Sequence, residues 1–64
     1  MKVNGSIIAL VDKQSLLDFL EGNKYDIMKI AVERNGEIVP REAYRNVMLK
    51  DEDTLEIVSF VGGG

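Results

Sequence analysis

The residues with the clearest capacity for chemistry stand at the end of the sequence, which closes Ser59-Phe60-Val61-Gly62-Gly63-Gly64. What this stretch offers is a backbone carboxylate on a thread without side chains. An α-carboxyl group has a pKa near ~3.3–3.7, so at neutral pH it is ionised and a poor electrophile, and it must be activated before a nucleophile can attack it. Glycine suits a group that is handed to another protein, because a backbone without Cβ adopts nearly any φ/ψ and approaches another backbone closely. Extended at ~3.3–3.6 Å per residue, Gly62, Gly63 and Gly64 would reach roughly 10 Å beyond Val61, enough to enter a buried site while the rest of the protein stays outside. Gly5, Gly22 and Gly36 each stand where a turn or a helix end asks for glycine, and the last three have no such explanation. A chain end without a role is the competing account.

Little else in the sequence can do covalent chemistry. Cysteine and histidine are absent, which removes thiolate nucleophiles, imidazole bases, disulfides and Cys/His metal sites. Ser6, Ser15 and Ser59 therefore have no base to activate them. Asp51-Glu52-Asp53 lacks the ligand spacing and glycine of a calcium loop and reads as a solvated turn. Arg41 and Glu42 read as a local surface pair. Eight basic residues against eleven acidic ones leave a net charge of −3, and no basic stripe forms, which argues against nucleic acid. The longest apolar run, Ile7 to Val11, is far short of the ~20 residues that span a bilayer. With no disulfides and no basic-then-apolar leader before the first strand, a cytoplasmic location is expected.

The chain of 64 residues has room for one core and little for a concave enzyme pocket. Asn4-Gly5 lies between Met1-Lys2-Val3 and Ser6 to Leu10, and Asn-Gly between apolar runs is a strong hairpin signal. A two-residue loop would set Val3 opposite Ser6 and Met1 opposite Ile8, so that Met1, Val3, Ile8 and Leu10 share the core face. A helix should open at Asp12-Lys13-Gln14-Ser15 with Asp12 as its cap, bury Leu16, Leu17 and Leu20, and stop at Gly22 in the left-handed conformation. Asn23 to Met28 reads as loop. A second hairpin follows, with Lys29 to Arg34, the turn Asn35-Gly36, and Glu37 to Val39 ended by Pro40. Arg41 to Asn46 reads as a short helical turn, and Lys50 to Asp53 as the turn before the last strand.

That last strand, Thr54 to Phe60, places Leu55 and Ile57 on one face and Glu56, Val58 and Phe60 on the other. Val58 and Phe60 thus form a candidate docking patch immediately before the glycines. One amphipathic helix needs a sheet to lie on, and the last strand is expected to pair in parallel with the first. The fold class is α+β: a β-grasp layout in which a mixed sheet of four to five strands packs on one helix, with residues 1–61 as the domain and 62–64 as a bendable tail.

Over its whole length the sequence resembles the small sulfur carriers of thiamine biosynthesis, the ThiS-like family of ubiquitin-like β-grasp proteins. The resemblance rests on NGEIVPREAY at 35–44 and on EIVSFVGGG at the end. It implies that the chain is not an enzyme but a protein co-substrate. An adenylating enzyme of the ubiquitin-activating type, using ATP and Mg²⁺, would convert the Gly64 carboxylate to an acyl adenylate, and a sulfur-donor system would replace AMP to give a thiocarboxylate. Thiazole synthase would then take the sulfur. Two alternatives stay open: a carrier like the small subunit of molybdopterin synthase, and a β-grasp module that binds partners without covalent chemistry.

Overall fold

The computed structural model describes residues 1–10 and 13–60. Both Asn-Gly pairs turn the chain as their composition demands, with positive φ at Asn4 (50°), Gly5 (86°), Asn35 (53°) and Gly36 (88°). Two positive φ values in succession match the right-handed twist of the flanking strands, which is why this dipeptide closes hairpins. The first turn joins β1 (Lys2–Val3) to β2 (Ser6–Ile7), with Val3 opposite Ser6 and Lys2 opposite Ile7. The second joins β3 (Ile30–Arg34) to β4 (Glu37–Val39).

The last strand, β5 (Thr54–Ser59), enters between these hairpins. It runs parallel to β1 and antiparallel to β3, giving a five-stranded sheet in the order β2-β1-β5-β3-β4. This is the expected β-grasp topology. Its inner face carries Val3, Leu55, Ile57, Val32 and Ile30, all buried, and the helix lays Leu16, Phe19 and Leu20 on the same core. Leu16, Leu20, Leu55 and Val32 are fully buried, and each such side chain stabilises the fold by about 1.5–3 kcal/mol. Met1 and Val3 are buried, and Ile8 and Leu10 pack against the core from its margin, as the hairpin pattern requires.

The helix departs from expectation at both ends. Its first residue is Leu16, and the cap is Ser15, whose Oγ accepts the Asp18 N–H at 3.0 Å; Asp12 lies outside the described residues. The start is fixed by a strand-like contact with residues 47–49. Leu16 N–H donates to the Val47 carbonyl at 2.8 Å and Leu49 N–H to that of Gln14 at 3.0 Å, with Ser15 bridged to Met48. Residues held extended in that way cannot also be helical. At the other end α1 (Leu16–Gly22) includes Gly22, and the left-handed residue is Lys24 (φ 64°). Tyr25 N–H bonds to the Leu20 carbonyl at 2.9 Å and Lys24 N–H to that of Glu21 at 3.0 Å, which is the Schellman closure. A left-handed lysine costs about 1–2 kcal/mol, a cost the two closing hydrogen bonds and the docking of Tyr25 at the core margin offset.

Residues 23–28 are not all loop. Asp26 accepts the Met28 N–H through Oδ1 at 3.0 Å and caps a 3₁₀ turn over Ile27–Lys29. A second 3₁₀ helix, Arg41–Asn46, starts directly after Pro40 and turns Tyr44 into the core. Arg41 does not pair with Glu42; its Nε donates to the Ile27 carbonyl at 2.9 Å. Burial pushes the Tyr44 hydroxyl pKa up, with the Arg41 charge acting in the opposite sense.

Candidate functional site

Everything that could present the glycine tail is built on β5. Its inward residues Leu55 and Ile57 are buried and fix the strand to the core, while Glu56 and Val58 point away from the helix. Val58 stands opposite Ala31 on β3. The small neighbour leaves Val58 59% exposed, and Phe60, just past the strand, is 57% exposed with its N–H donating to the Lys29 carbonyl at 3.1 Å. The two residues expected to form a docking patch therefore lie on the open side of the sheet, and among the described residues the last backbone bond holding this strand is made at Phe60. Gly62, Gly63 and Gly64 lie outside the described residues, as does Val61.

The sheet adds residues to this face that strand alternation alone did not single out. Ile38 on β4 is opposite Glu33 on β3, and Glu33 is opposite Glu56 on β5. Opposed residues share a face, so Ile38, 64% exposed, belongs to the same open surface as Val58. The register that joins these strands is a long-range property, and only the alternation after Asn35-Gly36 hinted at where Ile38 points.

β5 is also gripped by side chains whose sequence reading was purely local. The Asn4 amide continues the parallel ladder past the end of β1: Oδ1 accepts the Ile57 N–H at 2.7 Å and Nδ2 donates to the Ile57 carbonyl at 3.2 Å. At the start of β5 the supposed solvated turn contains a buried acid, Asp53, 2% exposed. Its carboxylate accepts from Arg34 Nε at 3.0 Å, Asn35 Nδ2 at 3.0 Å and the Lys50 N–H at 2.9 Å. Burial by itself would push the Asp53 pKa up, but the bonds from Asn35, Lys50 and Arg34, with the Arg34 charge, outweigh it and hold the carboxyl below its ordinary value. The interactions of Asp53 belong to the scaffold and reach no open site. Among the described residues no group of acidic side chains is placed to hold a metal ion, and no helix is long and apolar enough to cross a membrane.

Comparison with known proteins gives consistent results. A family model described as the ThiS family matches residues 1–64. The sulfur carrier protein ThiS of Bacillus subtilis is 43% identical over 53 residues, covering 83% of this chain and 80% of that protein. A thiazole synthase of Paramagnetospirillum magneticum is 59% identical over 39 residues, covering 61% of this chain but only 12% of the length of that enzyme. Among solved structures, the crystal structure of the thiamine biosynthesis protein ThiS from Geobacter metallireducens superimposes with a TM-score of 0.77 at 32% identity, covering 98% of this chain and 96% of that one.

Proposed function

The chain belongs to the ThiS family, and on that premise we propose that it is a sulfur carrier of thiamine biosynthesis whose Gly64 carboxylate is the group that is activated and thiolated. A Gly64 carboxylate oxygen attacks the α-phosphorus of ATP on a separate adenylating enzyme, which uses Mg²⁺, and pyrophosphate leaves. The acyl adenylate has the good leaving group that the free carboxylate lacks. Sulfur delivered by a donor system at the sulfide level attacks the acyl carbon, forming the C–S bond as the C–O bond to AMP breaks, and leaves a glycyl thiocarboxylate with no change of oxidation state. Thiazole synthase takes the sulfur, and water restores the carboxylate. In this scheme the domain contributes no catalysis, holds no cofactor, and works in the cytoplasm, where a chain without cysteine needs no oxidising environment.

The observation that carries this reading is the placement of β5. It is bonded to β3 from Leu55 to Ser59 and to β1 at Thr54 and Leu55, with the Asn4 amide holding Ile57, is buried on one face, and is open on the other at Val58 and Phe60, so the sequence runs toward the glycines directly from a strand fastened to the core and beside exposed apolar residues. Gly62, Gly63 and Gly64 form the thread, and Val58 and Phe60 meet the enzyme that receives it. The match to a thiazole synthase over a small fraction of that enzyme's length supports thiazole synthase as the second partner.

The test is ATP–pyrophosphate exchange with the adenylating enzyme, together with the intact mass of the carrier isolated from its own cells. The expected product is heavier than the parent by the difference between sulfur and oxygen. Appending one residue after Gly64 should abolish exchange and leave stability unchanged, since the added side chain displaces the reacting carboxylate. Phe60→Glu should weaken exchange while the domain stays folded, because it would place an unpaired charge in the interface. Undiminished exchange by the extended chain would exclude Gly64 as the reacting group.

A further inference from the structure

The open face of the sheet is not uniformly apolar. At its centre Glu33 and Glu56 stand directly opposite one another across β3 and β5, and Glu33 has Ile38 as its other cross-strand neighbour. Like charges in directly opposed positions destabilise a sheet. Among the described residues neither glutamate carboxylate has an ion pair or accepts a hydrogen bond that would relieve this; the ion pairs there are Lys29–Asp26 and Arg34–Asp53. Lys2, a basic residue of the same face, stands opposite Thr54, one same-face step along β5 from Glu56, and no ion pair joins Lys2 to Glu56. An uncompensated acidic pair thus sits between Ile38 on one side and Val58, one rung nearer the tail.

Resting on the carrier reading above, we propose that this face docks the adenylating enzyme through an arginine of that enzyme, whose guanidinium is received between the Glu33 and Glu56 carboxylates while Ile38 and Val58 pack around its stem. A cation between the two carboxylates converts their repulsion into two attractions. Arginine fits better than lysine because its planar fork carries five donors and engages carboxylates in pairs, and its weaker hydration lowers the cost of entering an apolar surround. A second copy of this chain is disfavoured as the occupant: the net charge is −3, and the centre of the face is itself acidic. The pair is a specificity element, since a partner lacking the cation would bury two unpaired carboxylates.

The experiment compares wild type with Glu33→Gln, Glu56→Gln and the double substitution, and with Glu52→Gln, which removes an equal charge from the exposed turn before β5. In ATP–pyrophosphate exchange the double variant should raise the KM for the carrier about tenfold or more with kcat little changed, because a buried charge pair loses its partner while the chemistry at the tail is untouched. Glu52→Gln should leave KM close to wild type. Without any partner, Glu56→Gln should raise the melting temperature of the free domain as the opposed charges are relieved, and Glu52→Gln should not. An unchanged KM for a folded double variant, or an equal rise with Glu52→Gln, overturns the arginine contact while wild-type exchange upholds the carrier reading. Self-association through this face that strengthens in the double variant would assign it to a second copy and also overturn the proposal. A wild-type carrier that drives no exchange defeats the carrier reading, and this partner with it.

Discussion

Asn4 and Asn35 open identical Asn-Gly turns, at φ 50° and 53°, and both extend their side-chain amides to β5, but they find different chemistry there. Asn4 holds one residue, giving to the carbonyl of Ile57 and taking from its N–H. Asn35 divides its amide: Oδ1 accepts the Thr54 N–H at 2.9 Å and Nδ2 donates to the Asp53 carboxylate. The first attachment is neutral throughout and substitutes for a missing rung, since β1 is only two residues long. The second hangs on a buried anion that also gathers Arg34 and Lys50. One dipeptide thus serves two ends of the central strand, with the charge-dependent fastening at its start and the neutral one on the side that leads to the tail.

Removing the anion should produce the largest effect. Asp53→Ala strands the Asn35 amide and the Lys50 N–H and leaves Arg34 without its partner, for a loss of about 2–4 kcal/mol at neutral pH. The Arg34 side chain is 28% exposed, so water compensates part of its share and the upper end of that range is a ceiling. Urea unfolding at pH 7 measures the loss. A value below about 1 kcal/mol would mean that the buried carboxylate is little better placed than an exposed one, and the contrast between the hairpins would disappear.

Asn4→Gly addresses the neutral fastening. Glycine keeps the positive φ, so the turn survives, but the amide is lost and Ile57 loses a donor and an acceptor partner. The expected cost is about 1–2 kcal/mol, with part of it from the greater freedom of glycine in the unfolded chain. Hydrogen exchange at the Ile57 amide should accelerate more than at Leu55, which keeps its own strand neighbours. If Asn4→Gly is neutral in unfolding and in exchange, the amide adds nothing beyond the turn.

The difference between what these residues do locally and at long range also explains what the sequence disclosed. Asn-Gly turns, Pro40 at the end of β4 and the alternation of Leu55, Glu56, Ile57 and Val58 are set by neighbours in sequence, and each was legible there. With them came the parallel pairing of the last strand with the first and the outward position of Val58 and Phe60. The helix ends were not legible, because Asp12 and Ser15 are both good caps and the choice was made by pairing with residues 47–49. Lys24 takes the left-handed position in place of glycine because its cost is within what two hydrogen bonds and one docked tyrosine can offset. Asp53 looked like one more acid in a polar turn; its burial depends on Arg34 and Asn35, which precede it by 19 and 18 residues. The acidic pair on the outer face was hidden for the same reason, since Glu33 and Glu56 become neighbours only through the β3–β5 register.

The smallest effect expected is a difference in pH dependence between the two fastenings. Asp53 has its carboxyl held below its ordinary value in the fold, so its contribution is fully present above the unfolded pKa of about 3.9 and is lost as the pH falls through the lower folded value. The penalty of Asp53→Ala should therefore shrink on moving from pH 7 to about pH 3. It should not vanish, because a depressed pKa keeps part of the population ionised there. Asn4 and Ile57 have nothing to titrate in that interval, so the Asn4→Gly penalty should be the same at both values. The other carboxylates titrate in wild type and both variants alike and cancel when penalties are compared, which makes the difference between the two variants the quantity to read. A penalty that shrinks equally for both would mean that acid loosens the sheet as a whole, while a constant penalty for both would mean that Asp53 contributes through shape and not through charge.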